Sequence, residues 1–417
     1  MRELVEREAR AAAAAMPSLD DGAVGSALRR AAGLLAERSG EVLASNERDL
    51  EVAGGLLDEG ALDRLRLDES RLETLARQLE ATAALEPLER EISSRTVANG
   101  LKVRELRIPV GTIGANFEAR PGVALDIAAQ VLKSLNAVVL RTGGAALATV
   151  ETLVDRVLRP ALETEGLEAG AVGLVRSADR AGAEALVSLP RWIPLVILRG
   201  SGASTAALAR LAADNGVRTL AHAEGGGVLY VHGSARDDRL AAIVDASLDR
   251  LGVCNRLNLA LVDQEATGLA AALVAACGRR GVDVVGTARA AAVLPLEPLD
   301  RAIGYEWAGD PARVATVTLD VVDGLHDAVR IANTETSALA AGIVAEDTAA
   351  VESFFSLYRG TAVFWHASTR FTDGFELTGS PETGVNVDWA PGPRGPVTYR
   401  DLWLRQFRVV GDGTQTR

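Results

Sequence analysis

Helix-patterned and strand-patterned segments alternate four times between residues 111 and 222, and this alternation constrains the fold more than any other feature of the chain. A helical pattern at 123–135 precedes VVLR (138–141), and one at 147–158 precedes AVGLV (171–175). Another at 181–188 precedes IPLVIL (193–198), and one at 204–213 precedes VRTLAH (217–222). Strand–helix–strand units this closely spaced build a parallel sheet with helices on both faces. A second alternating section begins at VLYVHG (228–233). It contains a helix at 237–250, a strand after Cys254, a helix at 266–279, and strands at 282–286, 313–322, 341–347 and 361–366. Residues 1–90 show apolar spacing of helical period. SSRTVANGLKVRELRIP (93–109) is extended, with Asn99-Gly100 as a hairpin turn, and YRDLWLRQFRVVGDG (399–413) closes the chain as a further extended segment.

The chain therefore reads as two α/β domains plus an extended flap. At 417 residues and 48% hydrophobic it can bury more than one core. The formal net charge of −12 argues against nucleic acid or an anionic membrane surface as the main partner. Two cysteines provide no disulfide framework, and the four histidines (His222, His232, His326, His366) are scattered, so no metal site is expected. The charged N-terminal helix lacks a signal-peptide core, and no apolar run approaches the ~18 residues of a membrane span. The expectation is a cytoplasmic protein.

Four segments carry possible chemistry. Cys254, in LGVCNRLNLALV (251–262), sits on a turn feeding a strand, where a side chain can face a cleft; Cys277, within LAAALVAACGRRG (269–281), has the setting of a small buried hydrophobe. RGSGAST (199–205) follows a strand and opens a helix, but Thr205 replaces the third glycine of a dinucleotide fingerprint. An ordinary turn and a phosphate contact fit it equally. AEGGGVLYV (223–231) places Glu224 beside three glycines, a pattern that by itself is a solvated turn. In GTIGANFEARPGVALD (111–126), Glu118 and Arg120 precede Pro121 at a helix start, and in HASTRFTDGFEL (366–377) a polar turn carries Arg370, suited to a bidentate pair with a carboxylate or phosphate.

Together these segments resemble the γ-glutamyl phosphate reductase (glutamate-5-semialdehyde dehydrogenase) family of the aldehyde dehydrogenase superfamily. The matching stretches are LASNERDLEVA (43–53), LDRLRLDESRLETLA (62–76), NGLKVRELRIPVGTIGANFEARPGVALD (99–126), LKSLNAVVLRTGG (132–144), LGVCN (251–255), ASTRFTDGFE (367–376), GPRGP (392–396) and RVVGDG (408–413). The resemblance implies an aldehyde-dehydrogenase-like fold. Its cofactor domain would span 1–91 and 110–227, its catalytic domain 228–360 and its oligomerisation flap 92–109 and 388–411, with 361–387 returning to the cofactor domain. It implies NADPH-dependent reduction of an acyl phosphate through a Cys254 thioester, with Asn255 and backbone N–H groups at the oxyanion. Glu118, Arg120, Ser368, Arg370 and Thr372 would bind substrate. Lys133, Arg141, Gly200, Ser201, Gly202, Glu224 and Gly225 would line the NADP(H) site. A homodimer or homotetramer, supplied by an acyl kinase in proline biosynthesis, completes the expectation.

The chain departs from the family pattern at several points. Leu135 replaces a glycine, Gly122 an asparagine, and Thr142-Gly143-Gly144-Ala145 a Gly-Gly-Ser-Glu run. ETSALAAGIV (335–344) lacks the expected histidine, and TGSPETGVNVDWAPGPRGP (378–396) lacks Lys-Leu-His-Ala before Arg-Gly-Pro. A kept nucleophile amid a rewritten pocket points to an altered acyl substrate in a paralogous pathway. Two alternatives remain open from sequence: an oxidising aldehyde dehydrogenase with Glu224 as base, and a catalytically degenerate binding subunit.

Overall fold

A computed structural model describes residues 1–417 except 58, 201, 223, 224, 390–392 and 417, and the side chains of Glu59 and His222 are likewise outside it. The chain forms two compact units. The first comprises Met1–Ala221, Ser380–Gly384 and Val397–Arg417, the second His222–Gly379 and Val385–Pro396. Of the segment 361–387 expected to return to the cofactor domain, only Ser380–Gly384 groups with the first unit.

In the first unit, strands β1 (Glu91–Thr96) and β2 (Lys102–Pro109) form the hairpin expected at Asn99-Gly100, and Gly100 turns at φ +86°. The parallel sheet follows: β3 (Thr112–Phe117), β4 (Ala137–Thr142), β5 (Val172–Leu174), β6 (Leu195–Arg199) and β7 (Arg218–His222). Their spatial order is β5-β4-β3-β6-β7, so the chain reverses direction between β3 and β6. Every residue of β3 and β4 is buried, as expected of strands covered on both faces. The helices Asp21–Glu37 and Glu69–Ala84 begin at Asp20 and Asp68, whose carboxylates accept N–H groups of the first turn.

The second unit holds a seven-stranded sheet of β8 (Gly227–Val231), β9 (Leu257–Asp263), β10 (Asp283–Gly286), β11 (Glu297–Pro298), β12 (Thr316–Val322), β13 (Ala340–Val344) and β14 (Ala362–Trp365), ordered β11-β10-β12-β9-β8-β13-β14. Its pairings are all parallel. Two apolar clusters cover the two faces, one around Leu273, Val262 and Leu319, the other around Tyr230, Leu259 and Phe354. A short ladder pairs β15 (Gly384–Asn386) with β16 (Gly395–Val397).

The closing strand β17 (Trp403–Val410) pairs antiparallel with β2 and leaves the three-stranded order β1-β2-β17. Buried amides anchor its entry. Asn136 Nδ2 donates to the Leu402 carbonyl at 2.9 Å, and Gln130 Oε1 accepts the Tyr399 N–H at 2.8 Å. Two departures from the family pattern have a visible setting. Leu135 ends the helix Val123–Lys133 at φ +61°, a conformation that favours glycine. Gly122 leaves room for Leu75, whose Cδ2 would lie 2.9 Å from a Cβ there. Among the described residues no helix is long and apolar enough to cross a membrane, and no group of His, Cys, Asp or Glu could hold a metal.

Candidate active site

Cys254 lies, partly exposed, in the turn between the helix Asp237–Ser247 and the amino end of β9. Three glycines entering β8 pack on this turn. The Gly226 N–H donates to the Cys254 carbonyl at 2.6 Å and the Gly227 N–H to the Arg256 carbonyl at 2.7 Å. A Cβ on Gly225 would stand 2.5 Å from Cys254 Cβ and 2.8 Å from its carbonyl oxygen, and one on Gly227 would collide with Thr369 Oγ1. The glycine run therefore supplies a bare backbone against which the cysteine turn seats. Gly225, expected at a cofactor, is placed against the cysteine instead. Glu224 precedes it in the chain and lies outside the described residues, as does Ser201.

The turn is fastened from its other side by Asn255, which is 6% exposed. Its Nδ2 donates to the carbonyls of Arg370 (3.0 Å) and Thr372 (3.1 Å), and its Oδ1 accepts from the Arg370 guanidinium. Both amide N–H groups point at carbonyls, so the expected side-chain donation to an oxyanion is corrected: Asn255 ties two loops together. Arg370 does grip a carboxylate, but it is Asp249 of the same unit, Nε to Oδ1 at 2.7 Å. Desolvation pushes the Asp249 carboxyl up, but the hydrogen bond and charge of Arg370 together outweigh it and hold the group below its ordinary value. Ser368 is also corrected. It is buried, with its Oγ bonded to Ser247 Oγ at 2.8 Å, because the turn after β14 folds into the core. Thr372 is buried too and contributes its carbonyl to Asn255, while Thr369 Oγ1 donates to the Asn255 carbonyl at 2.8 Å.

Cys277 is fully buried in the helix Ala270–Arg279, and burial pushes its thiol up to about 12. Arg256, also fully buried, donates to the carbonyls of Val314 and Thr316, and burial lowers its guanidinium to about 10. Sequence reasoning missed Glu306. Asn258 Oδ1 accepts the Trp307 N–H at 2.9 Å and Asn258 Nδ2 donates to the Tyr305 carbonyl at 2.8 Å, and between these anchors Glu306 Oε2 accepts the Gly225 N–H at 2.9 Å. No periodicity or spacing marks the GYEW segment (304–307). Tertiary contact alone brings it to the cysteine.

In the first unit the strand order reverses between β3 and β6, the switch point at whose carboxyl end open α/β sheets carry their ligand crevice. Glu118, just after β3, rests on the turn after β6: a Cβ on Gly200 would lie 2.9 Å from its Cδ. The helix Gly202–Asp214 starts there, its N–H groups facing the crevice end of the sheet. Arg120 is exposed at the following turn. Asp126, in the first turn of the next helix, has its carboxyl raised to about 7 by desolvation, with Arg199 opposing and Glu382 reinforcing the shift.

Two residues expected at this crevice are elsewhere. Lys133 ends the helix that runs back from it, so it lies buried at the amino ends of the strands, within reach of the charges of Asp21 and Glu86. Arg141 is buried in β4. Its guanidinium donates to Asn116 Oδ1 (3.1 Å) and to the carbonyls of Ala178 (3.2 Å) and Asp179 (3.1 Å), locking strands to a loop. Neither is positioned to hold a phosphate.

Relatives with this architecture are numerous. A γ-glutamyl phosphate reductase of Paramagnetospirillum magneticum is 33% identical over 99% of this chain and 96% of its own, and one of Clavibacter michiganensis is 36% identical over 93% and 89%. The chain belongs to the γ-glutamyl phosphate reductase family. The crystal structure of γ-glutamyl phosphate reductase from Thermotoga maritima matches with a TM-score of 0.90 at 26% identity, covering 99% of this chain and 100% of that one. An acetylating aldehyde dehydrogenase from Geobacillus thermoglucosidasius shares the fold, with a TM-score of 0.69 at 14% identity and coverage of 100% and 98%. No protein-family model matches the chain. The aldehyde-dehydrogenase-like fold inferred from the family resemblance is thus established.

Proposed function

We propose that this chain reduces γ-glutamyl phosphate or a close analogue to the semialdehyde with NADPH, releasing phosphate, through a thioester on Cys254. The observation that carries this reading is the seating of Cys254. In a member of the reductase family, a partly exposed thiol sits on a turn fixed by Gly226 on one side and by Asn255 on the other. A nucleophile held this way attacks an acyl carbon without first ordering its own loop. With both Asn255 side-chain donors occupied, backbone N–H groups of the turn are left to meet the oxyanion.

The crevice of the first unit suits a dinucleotide. The N-terminus of the helix Gly202–Asp214 favours a pyrophosphate. Glu118 is an acceptor for ribose hydroxyls. Bound there, NADPH supplies the hydride. Ser368, Arg370 and Thr372 act by holding the turn that carries Asn255. An acyl kinase would furnish so labile a substrate, in proline biosynthesis or a paralogous cytoplasmic pathway. The edge strand β17 exposes Leu404, Phe407, Val409 and Val410, which supports a homodimer formed through the flap.

The reaction is tested in reverse. Purified protein receives glutamate-5-semialdehyde, phosphate and NADP, and absorbance at the NADPH band is followed beside a Cys254→Ala control. NADPH formation that requires both phosphate and Cys254 is the expected result. A folded protein that binds NADPH and gives no signal would place the substrate elsewhere. Full turnover in the Cys254→Ala protein would end the thioester reading.

A further inference from the structure

Glu306 has no part in the reading above, yet it stands at Cys254. Its two chain neighbours are held by Asn258, and Trp307 is fully buried with its indole N–H donated to Thr318 Oγ1 at 2.9 Å. The Tyr305 ring meets Trp307 edge-on at a centroid distance of 4.9 Å. Residue 306 is therefore fixed by the core while its side chain is only partly buried. Oε2 accepts the Gly225 N–H. Oε1 and Cys254 Cβ lie 2.7 Å and 2.5 Å from the single point that a Cβ on Gly225 would occupy.

Arg256 points its donors at the carbonyls of Val314 and Thr316 on the buried side, where its charge is also felt by Cys277 and Glu306. Arg370 is paired with Asp249 and bonded to Asn255. Glu224, outside the described residues, precedes Gly225 in the chain.

We infer that Glu306 handles the proton of the Cys254 thiol. Its Oε1 takes the S–H proton as sulfur bonds to the acyl carbon, then gives it to the departing phosphate oxygen as the carbon–oxygen bond breaks. Phosphate then leaves as HPO₄²⁻ in place of the far more basic trianion, and the carboxylate is restored. This assignment rests on the acyl phosphate reading, and it adds a residue that neither motif nor spacing reveals.

The decisive experiment follows alkylation of Cys254 by iodoacetamide against pH in ligand-free protein. Replacing the charge by Glu306→Gln moves the alkylation midpoint down by about one pH unit or more, because the thiolate loses an anionic neighbour. Phosphate-dependent turnover falls by about 10²-fold or more. Glu306→Asp draws the carboxylate back and moves the midpoint part of the way, which keeps the test available if the glutamine variant does not fold. An unchanged midpoint in either variant overturns the assignment, as does a loss confined to the KM for the nucleotide. Wild-type protein without phosphate-dependent turnover, but with a midpoint that moves in the glutamine variant, would sink the acyl phosphate reading and leave the Glu306–Cys254 coupling standing.

Discussion

Replacing Asn255 by aspartate is nearly isosteric and tests how the cysteine turn is held. In the native protein Asn255 Nδ2 donates to two carbonyls at 3.0 and 3.1 Å, and Oδ1 accepts from Arg370. The aspartate oxygen that replaces Nδ2 would face the carbonyl oxygens of Arg370 and Thr372 with no proton between them. Two hydrogen bonds worth about 1 kcal/mol each are lost, and two acceptors are left unsatisfied in a buried site at about 1–3 kcal/mol each. The existing contact to Arg370 gains charge and returns part of this. The net expectation is a loss of about 3 kcal/mol. Urea unfolding monitored by tryptophan fluorescence measures it, and the iodoacetamide rate at Cys254 reports the geometry of the turn. The defect should shrink as pH falls, because a protonated carboxyl can donate to one of the two carbonyls. A loss below about 1 kcal/mol with unaltered Cys254 reactivity would show that the amide does not bridge these loops, and would remove the basis for a pre-ordered nucleophile.

Three further outcomes are expected. Gly225→Ala places a methyl 2.5 Å from Cys254 Cβ and 2.7 Å from Glu306 Oε1; turnover should fall by 10²-fold or more for an overpacking cost of about 1–3 kcal/mol, and near-native kcat would contradict the seating described. The raised Asp126 carboxyl works against the fold once it ionises. The sign follows from the direction of the shift: the favourable contribution is complete below the ordinary carboxylate value near 3.8 and is lost as pH rises through about 7. Asp126→Asn should therefore raise the Tm at pH 8 by the equivalent of a few kcal/mol at most and leave it nearly unchanged at pH 4, and an equal shift at both values would refute the linkage. Of the two thiols, only Cys254 should react with a disulfide reagent in native protein at pH 8, since Cys277 is fully buried and its thiol is pushed up to about 12; two equivalents released without unfolding would disprove this.

The order of helices and strands is legible in the sequence because each element is specified locally. Apolar spacing marks the helix at 123–133, the run Val138-Val139-Leu140 marks β4, the alternation of Leu257, Leu259 and Leu261 marks β9, and Asn99-Gly100 marks the hairpin. Cys254 and its contrast with Cys277 were likewise readable, since a turn before a strand and the apolar face of a helix are local settings. What a side chain does once it arrives is decided by tertiary packing. Lys133 and Arg141 look like phosphate ligands in the chain, but one lies at the wrong end of the sheet and the other is consumed by Asn116 and two carbonyls. Ser368 and Asn255 look like cleft residues and are internal ties. Glu306 is silent in the sequence and becomes conspicuous only when Asn258 and the glycines of β8 bring it to Cys254. Pattern and capping act over a few residues and determine the elements. A buried polar group takes its role from whichever donors and acceptors the rest of the chain folds against it, and that is fixed only in three dimensions.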